Sequence, residues 1–243
     1  MDAPSPIHST AGRPLVYGHR GASAYAQDNT VESIALAVEQ GADGVEVDVR
    51  ATRDGRLILH HDDREPGFEP LGQLDFVQVR RDLPFIPTLD EAWGALGDTA
   101  YMNIEVKVDE TDSHRGDRLI GDVVDWIAAR DVADRVVLSS FDAWTTRQVR
   151  ELAPHLLTGQ LVTRWAPAEQ MIPMVARDGH QAINLPTDAM EQDASGVVTA
   201  AAARGLVVMV WTVDDPATIQ RLAEAGVAAV ITNDPPTALE ALA

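Results

Sequence analysis

Short runs rich in β-branched residues alternate with Ala- and Leu-rich segments along the whole chain, and this alternation constrains the fold more than any other feature. Strands separated by amphipathic helices are typical of a parallel sheet covered by helices. The strand starts lie roughly 22 to 34 residues apart, except for one interval of about 57 residues, which is the spacing of a barrel repeat with one insertion. The eight predicted strands are residues 15–18, 44–49, 101–107, 135–140, 157–162, 181–184, 206–212 and 228–232.

This spacing predicts an α/β fold, a single (β/α)8 TIM barrel with a short β-hairpin or loop insertion after the second strand. A doubly wound open sheet is the rival architecture, but no glycine-rich phosphate loop follows the first strand. No linker or shift in composition divides the chain, so residues 1–243 are expected to form one domain, with residues 1–14 as a flexible tail. The predicted helices are residues 30–39, 117–129, 144–152, 197–204 and 217–225.

The chain is strongly acidic, since 38 acidic against 19 basic residues give a formal charge of −19. Such a surface repels nucleic acid and anionic lipid, so a nucleic-acid partner is not expected, and an anionic small molecule would need a local cation. The absence of cysteine excludes disulfides and cysteine metal sites. No apolar run approaches the ~18 residues of a membrane span, and the N-terminus does not resemble a signal peptide. We therefore expect a cytoplasmic monomer or homodimer without a membrane segment.

Polar residues stand where the predicted strands end, which is where barrel enzymes place their chemistry. In the second strand, Glu46 and Asp48 alternate with valines, so both carboxylates point to one side, and the valines to the other. The carboxylate side is expected to be the barrel interior, because valines pack against the surrounding helices. The same alternation in the third strand directs Glu105 and Lys107 inward together.

Three inward carboxylates on neighbouring strands cannot all remain charged in a low-dielectric interior without a compensating cation. Ligation by oxygen alone, from Glu46, Asp48 and Glu105, predicts one divalent cation, Mg²⁺ or Ca²⁺. The alternative is a structural network of ion pairs between these acids and the nearest basic side chains, which are Arg20, Lys107 and Arg50.

Histidines are predicted to lie on both sides of this cluster. His19 ends the first strand, and His60 and His61 follow an Asp54-Gly55 sequence that is typical of a two-residue hairpin turn. Such a turn pairs Arg53 with Arg56 and places His61 opposite Asp48. A slip of one residue in this register would exchange His60 and His61. Because an imidazole titrates near neutrality, His19 and His61 are the expected pair for general acid–base catalysis.

The chain resembles the glycerophosphodiester phosphodiesterase family in a series of short motifs that runs in the family's order from about residue 15 to the end. The motifs are GHRG at 18–21, DNT at 28–30, GAD at 41–43, E-x-DV at 46–49, T-x-DG at 52–55, HD at 61–62, PTL-x-E at 87–91, NIEVK at 103–107, SSF at 139–141, G-x-L at 159–161, WTV at 211–213 and ITN-x-P at 231–235. The resemblance implies a (β/α)8 hydrolase that uses a divalent metal to cleave a glycerophosphodiester into glycerol 3-phosphate and an alcohol.

The resemblance also implies a role for each matching residue. His19 and His61 correspond to the acid–base pair, and Arg20 and Lys107 to the phosphate contacts. The metal ligands correspond to Glu46, Asp48 and Glu105. In such enzymes the nucleophile is expected to be the 2-hydroxyl of the glycerol itself, which gives a cyclic phosphate that water then opens.

The chain departs from the family pattern at several positions around the expected site. Asp28 replaces the usual Glu, and Asn29 with Glu32 predicts a helix N-cap there. Asp214 replaces the usual Asn, and an extra acid at the rim would favour a cationic alcohol such as choline. Trp211, together with Trp165, is a candidate for a cation–π contact with that alcohol, against a packing role.

Only about twenty residues separate Asp62 and its neighbours from the PTL motif at 87–89, so the cap over the site is expected to be small. A small cap would admit bulkier substrates, which keeps a lysophospholipase D activity on lysolipids as an alternative. A non-catalytic barrel that binds a phosphorylated metabolite is the second alternative, although pure binding does not require two histidines. An isomerase or aldolase is disfavoured because no lysine is isolated in an apolar strand.

Overall fold

Eight parallel strands close into a barrel in the computed structural model, which describes residues 5–108 and 113–243. Around the ring the order is β1, β2, β4, β5, β6, β7, β8 and β9, and β9 pairs again with β1, while β3 is antiparallel to β2 and lies outside the ring. The strands are β1 (Leu15–His19), β2 (Gly44–Ala51), β3 (Leu57–Leu59), β4 (Tyr101–Val106), β5 (Val136–Ser140), β6 (Leu157–Leu161), β7 (Ala182–Pro186), β8 (Val207–Trp211) and β9 (Ala229–Thr232). The (β/α)8 barrel and all eight predicted barrel strands are confirmed, with bounds that differ by at most two residues.

Helices connect the strands and cover the outside of the barrel. They are α1 (Val31–Glu39), α2 (Phe76–Asp82), α3 (Leu89–Leu96), α4 (Ser113–Arg130), α5 (Ala143–Leu152), α6 (Ala168–Arg177), α7 (Ala194–Ala202), α8 (Pro216–Ala225) and α9 (Pro235–Ala241). Short 3₁₀ helices occupy Leu71–Gln73, Ala133–Arg135 and Thr187–Met190. The five predicted helices correspond to α1, α4, α5, α7 and α8. Over the described ranges, no helix is both long enough and apolar enough to span a membrane.

The two faces of β2 have opposite chemistry. Val45, Val47 and Val49 are fully buried and pack with the surrounding helices, whereas Glu46 and Asp48 point into the barrel. This arrangement confirms the alternation predicted from the sequence.

The bottom of the barrel interior is apolar and is covered by the N-terminal segment. Ile7 is buried among inward side chains that include Tyr17 and Met209. The Tyr17 hydroxyl donates to the carbonyl oxygen of Pro6 at 2.7 Å. The part of the predicted tail that the structure describes, residues 5–14, therefore lies against the end of the barrel opposite to the strands' C-terminal ends.

The hairpin between β2 and β3 has a different register from the predicted one. Thr52, not Arg53, pairs with Arg56, because residues 53–55 form a three-residue loop in which Gly55 has a φ of +84°. The Thr52 hydroxyl accepts from the backbone N–H of Arg56 at 2.9 Å and donates to Asp54 at 2.6 Å, which stabilises the larger loop. The backbone N–H of His60 therefore bonds to the carbonyl of Asp48, and the expectation that His61 lies opposite Asp48 is wrong.

The loop after β1 depends on glycine for a close approach to α1. Gly21 has a φ of +86°, and a Cβ there would lie 2.4 Å from the carbonyl carbon of Ser33. Arg20, with a φ of +57°, and Gly21 thus turn the chain directly beneath the first turn of α1. This turn carries His19 and Arg20 into the mouth of the barrel.

We predict that Gly21→Ala costs far more stability than Gly226→Ala. Gly226 ends α8 with a φ of +85°, but a Cβ there meets nothing closer than 3.8 Å, so only the left-handed backbone is penalised, by about 1 to 2 kcal/mol. Gly21→Ala adds overpacking against backbone, which costs about 1 to 3 kcal/mol more. Chemical denaturation of the two variants measures the difference. Equal losses would show that the β1 loop can move away from α1.

Candidate active site

Three acidic side chains meet inside the C-terminal end of the barrel. Glu46 and Asp48 lie on β2, and Glu105 on β4 is the register partner of Asp48. Their exposed fractions are 5%, 1% and 7%, and one oxygen from each carboxylate lies within 4.8 Å of the others. The structure thus brings together the three residues predicted as metal ligands.

Two basic side chains lie within this cluster. Lys107 Nζ is 3.0 Å from Asp48 Oδ1 and 2.5 Å from Glu105 Oε1, and Arg20 Nε is 3.2 Å from Asp48 Oδ2. Glu46 accepts a hydrogen bond from the backbone N–H of Arg20 at 3.1 Å. Ion pairs of the alternative network therefore exist, but two basic side chains do not balance three buried carboxylates.

The imbalance is expressed in the pKa values of the acids. Burial, and then the charge of Asp48, raises the pKa of Glu46 well above its ordinary value and that of Glu105 to about 7. Burial alone would also raise the pKa of Asp48, but Lys107 and Arg20 lower it. The metal-free cluster therefore holds protons that a cation can displace, and its all-carboxylate donor set matches a hard divalent ion.

His19 and His61 lie beside the cluster, on different connections. His19 Nδ1 is 2.7 Å from Asn233 Oδ1, and burial, followed by the charge of Arg20, lowers the pKa of His19. His61 Nδ1 is 2.8 Å from Asp62 Oδ1. Burial and then the charge of Lys107 lower the pKa of His61. Both imidazoles are therefore neutral around pH 7 and able to accept a proton.

His60 differs from His61 in its contacts. Its Nδ1 lies 2.9 Å from the carbonyl oxygen of Asp62, and its Nε2 lies 2.9 Å from Glu65 Oε1, so both ring nitrogens are engaged in the loop after β3. β3 ends at Leu59, and the alternation of side chains along a strand no longer applies beyond it. The position of His61 beside the acidic cluster therefore follows from this loop and not from hairpin parity.

Asn29 is a site residue that the sequence analysis placed wrongly. Its side chain is buried, and its Nδ2 donates to Asp48 Oδ2 at 2.7 Å while its Oδ1 accepts from the Asp48 backbone at 3.1 Å. The predicted N-cap at Asn29 is wrong, because Thr30 caps α1 by accepting from the backbone of Ser33. Asn29 has a φ of +55°, which asparagine tolerates better than most residues. The signal available in the sequence was therefore the asparagine itself.

The two acidic departures from the family pattern are both engaged. Asp28 accepts from Arg20 Nη1 at 2.9 Å, so the shorter acid still reaches the site. Asp214 accepts from the backbone N–H of Asn233 at 2.8 Å, from its Nδ2 at 2.7 Å and from Thr232 Oγ1 at 2.9 Å. Both oxygens of Asp214 are thus held by hydrogen bonds within the barrel.

Trp211 ends β8 on the opposite side of the mouth from the hairpin. Its Nε1 donates to the carbonyl of Asn184 at 3.1 Å, and its ring meets Phe141 edge to face at 5.4 Å. Lys107 Nζ lies 5.9 Å from the centre of the Phe141 ring. Since its N–H is already bonded, Trp211 has only its ring available to a ligand. Trp165, by contrast, is 86% exposed.

Two cavities lie on either side of Arg20, and both are lined by Arg20 and Asp28. One, of about 150 Å³, lies between Gln27–Asn29 and the loop that carries His60 and His61. The other, of about 660 Å³, lies between the β1 loop and the ends of β8 and β9, beside His19. A ligand held at Arg20 therefore has room on two sides.

Comparison with known proteins places this chain in a family. A sequence profile of the glycerophosphoryl diester phosphodiesterase family matches residues 19–237. The chain belongs to this family. The resemblance seen in the motifs is therefore confirmed.

The relatives cover nearly the whole chain. A glycerophosphodiester phosphodiesterase of Caldanaerobacter subterraneus subsp. tengcongensis is 30% identical over 249 residues, which cover 93% of this chain and 96% of that protein. The crystal structure of a family member from Thermotoga maritima matches with a TM-score of 0.81 at 25% identity, covering 93% of this chain and 97% of that one. A phosphodiesterase of Oleispira antarctica, in complex with the product sn-glycerol 3-phosphate, shares the fold with a TM-score of 0.81 at 24% identity, covering 94% and 96%.

We predict that the affinity of the site for Mg²⁺ or Ca²⁺ increases from about pH 5 to about pH 8, because the cation must displace protons from Glu46 and Glu105. Glu46→Gln should weaken binding throughout this range. Isothermal titration with each cation measures both effects, and Glu32→Gln, at an exposed position of α1, is the matched control. Unchanged binding by Glu46→Gln would remove this residue from the ligand set.

Proposed function

We propose that the chain is a metal-dependent phosphodiesterase that hydrolyses glycerophosphodiesters to glycerol 3-phosphate and an alcohol. The observation that carries the proposal is the meeting of three buried carboxylates with His19 and His61 at one end of the barrel. Family membership and the name of the Caldanaerobacter relative support the same substrate class. A barrel that only binds a phosphorylated metabolite would have no use for two neutral imidazoles beside the anion site.

Glu46, Asp48 and Glu105 would hold the divalent cation. When bound, a divalent cation stabilises the charge that develops on the phosphate oxygens. Mg²⁺ and Ca²⁺ both prefer oxygen ligands, and the choice between them depends on cavity size and on the number of ligands.

Arg20 and Lys107 are the basic side chains assigned to the phosphate. Arg20 is held by two acids: Asp28 accepts a hydrogen bond from Nη1, and Asp48 Oδ2 lies 3.2 Å from Nε as an ion-pair partner. A guanidinium held in this way can donate two parallel hydrogen bonds to a phosphate. Because Arg20 lines both cavities, a phosphodiester centred on it would extend one arm into each, as a diester with two organic groups requires.

The histidines carry the protons. The substrate-free rings are neutral, so one of them must take up a proton from solvent when the anionic phosphodiester binds. The neutral imidazole then accepts the proton of the attacking hydroxyl as the new P–O bond forms, and the imidazolium donates its proton to the alkoxide that leaves as the old P–O bond breaks. We assign the attack to the 2-hydroxyl of the glycerol, which yields a cyclic phosphate. Water then opens the ring with the proton transfers reversed, so that both histidines return to their starting states.

A lysolipid is the second candidate substrate, because aromatic side chains are exposed near this end of the barrel. Phe141, Trp144 and Trp165 follow β5 and β6 with exposed fractions of 38%, 37% and 86%. Exposed rings of this kind accommodate an acyl chain more readily than a small polar alcohol. Between β3 and α3, the cap over the site consists of the loop after β3, the 3₁₀ helix Leu71–Gln73 and the short α2.

We predict release of glycerol 3-phosphate from glycerophosphocholine that stops after exhaustive chelation and resumes with Mg²⁺ or Ca²⁺. The cation is required because the carboxylate cluster alone would repel the phosphate. An enzyme-coupled assay of glycerol 3-phosphate measures the release. Cleavage of lysophosphatidylcholine alone would favour the lysolipid reading, and cleavage of neither substrate would overturn the proposal.

We predict that His19→Ala and His61→Ala each lower kcat at least ~10²-fold, because each removes a general acid or base. His60→Ala is the matched control, since its ring bonds only within the loop after β3, and it should retain activity. Steady-state kinetics and circular dichroism of the three variants test the assignment. An active His61→Ala beside an inactive His60→Ala would reverse the roles of these neighbours.

A further inference from the structure

Three side chains form a line of hydrogen bonds that leads away from His19. His19 Nδ1 and Asn233 Oδ1 are 2.7 Å apart, and Asn233 Nδ2 donates to Asp214 Oδ2 at 2.7 Å. The other oxygen of Asp214 accepts from the Asn233 backbone at 2.8 Å and from Thr232 Oγ1 at 2.9 Å. The line joins the ends of β1 and β9 to the loop after β8.

The chemistry of these groups fixes the direction of every bond. A carboxylate can only accept, so Asn233 must present its NH₂ group to Asp214 and its carbonyl oxygen to His19. Ser23 Oγ donates to the same carbonyl oxygen at 2.8 Å, which agrees with this orientation. Because an amide oxygen also can only accept, Nδ1 of His19 must carry the hydrogen. In the neutral ring, Nε2 is then the unprotonated nitrogen.

We infer that Asp214 is a positioning residue which, through Asn233, holds His19 as the Nδ1–H tautomer and leaves Nε2 as the proton acceptor. The inference rests on the proposed function, in which His19 exchanges a proton with the substrate. Asp214 is not a catalytic residue, because the line places Asn233 between it and His19. This role is separate from the attraction of a cationic alcohol that the sequence suggests, since Asp214 also lines the cavity beside His19.

The neutral amide of Asn233 separates the carboxylate of Asp214 from the imidazole of His19, and this affects the charge of the ring. A carboxylate directly on Nδ1 would strongly favour the charged imidazolium. Here the charged groups that act on His19 are Arg20, Asp48 and Asp214, and burial together with Arg20 outweighs the two acids, so the pKa of His19 is lowered. The line therefore selects a tautomer without charging the ring.

The variant Asp214→Asn makes the central test. The new amide must still accept from Thr232 and from the Asn233 backbone, so its NH₂ group would face the NH₂ group of Asn233. Asn233 relieves this contact by rotating its amide, which directs its NH₂ group at His19 Nδ1. His19 must then become the Nε2–H tautomer. Its unprotonated nitrogen is then Nδ1, which faces Asn233 and not the substrate.

The exchange Asp214→Asn/Asn233→Asp should restore the original tautomer. The amide at position 214 then donates to the carboxylate at position 233, and that carboxylate accepts from Nδ1–H of His19. The matched control is Asp215→Asn, the same change at the next residue. Asp215 caps α8 by accepting from the backbone of Thr218 at 2.8 Å, and asparagine caps a helix equally well.

The measurement is the ¹⁵N spectrum of labelled imidazoles, recorded where the rings are neutral and assigned with His19→Gln. Wild type, Asp215→Asn and the double exchange should show His19 protonated at Nδ1, and Asp214→Asn should show it protonated at Nε2. Retention of the Nδ1–H tautomer by Asp214→Asn would overturn the inference, whatever its activity.

Kinetics provide the functional arm. Asp214→Asn should lower kcat on glycerophosphocholine with little change in KM, because the fraction of His19 in the wrong tautomer cannot act as the base. The double exchange should recover most of this loss, but only at a higher pH, because the carboxylate that then lies directly on Nδ1 raises the pKa of His19. A merely structural role of Asp214 predicts neither the recovery nor the shift of the pH profile. If wild-type protein cleaves no diester, the proposed function fails, while the ¹⁵N spectra still decide whether Asp214 sets the tautomer.

Discussion

The burial of three carboxylates in the mouth of one barrel is the constraint on which the rest of the structure depends. Each carboxylate loses its hydration on burial and is also repelled by the charge of its neighbours. Both effects raise the pKa values of Glu46 and Glu105. The surrounding residues offset this cost by stabilising the negative charge of Asp48. Asn29 donates a hydrogen bond to Asp48, the most deeply buried of the three acids, and Lys107 and Arg20 form ion pairs with it. The left-handed backbone at Arg20 and Asn29 and the tight turn at Gly21 bring these partners to it.

Much of this arrangement is predictable from the sequence because it follows from one short-range rule. Alternation along β2 and β4 decides which side chains enter the barrel, so the acidic cluster and Lys107 were recoverable from parity alone. The barrel itself followed from the spacing of the strands. The loop after β2 was not recoverable in this way, because Asp54-Gly55 is compatible with loops of two or three residues. The Thr52 hydroxyl, which decides between them, acts through contacts that the dipeptide does not reveal.

Contacts between residues distant in the chain account for most other differences. The sequence analysis assigned Asn29 to a helix cap, whereas Asn29 pairs with Asp48. It treated Asp214 as an extra acid at the rim and did not detect its pairing with Asn233. Among the helices that were not predicted, α3 has a readable signal, a capping box between Thr88 and Glu91. α6 contains Pro173 within its length, which disfavours a helix there. α9 begins with Asp234 as its N-cap and prolines in its first turn, a start signal that the sequence analysis did not use.

Arg50, on β2, holds the loop after β3 through main-chain atoms and not through the side chains that take part in the chemistry. Its guanidinium donates to the carbonyl oxygens of His60, at 3.1 Å, and of His61, at 2.7 Å, and so binds the main chain of the loop after β3. Main-chain oxygens are present whatever side chains the loop carries. The side chains at positions 60 and 61 can therefore change in evolution without loss of the bonds from Arg50 that fix the path of the loop. Single substitutions at this rim can then alter the reactivity of the site while the backbone stays the same.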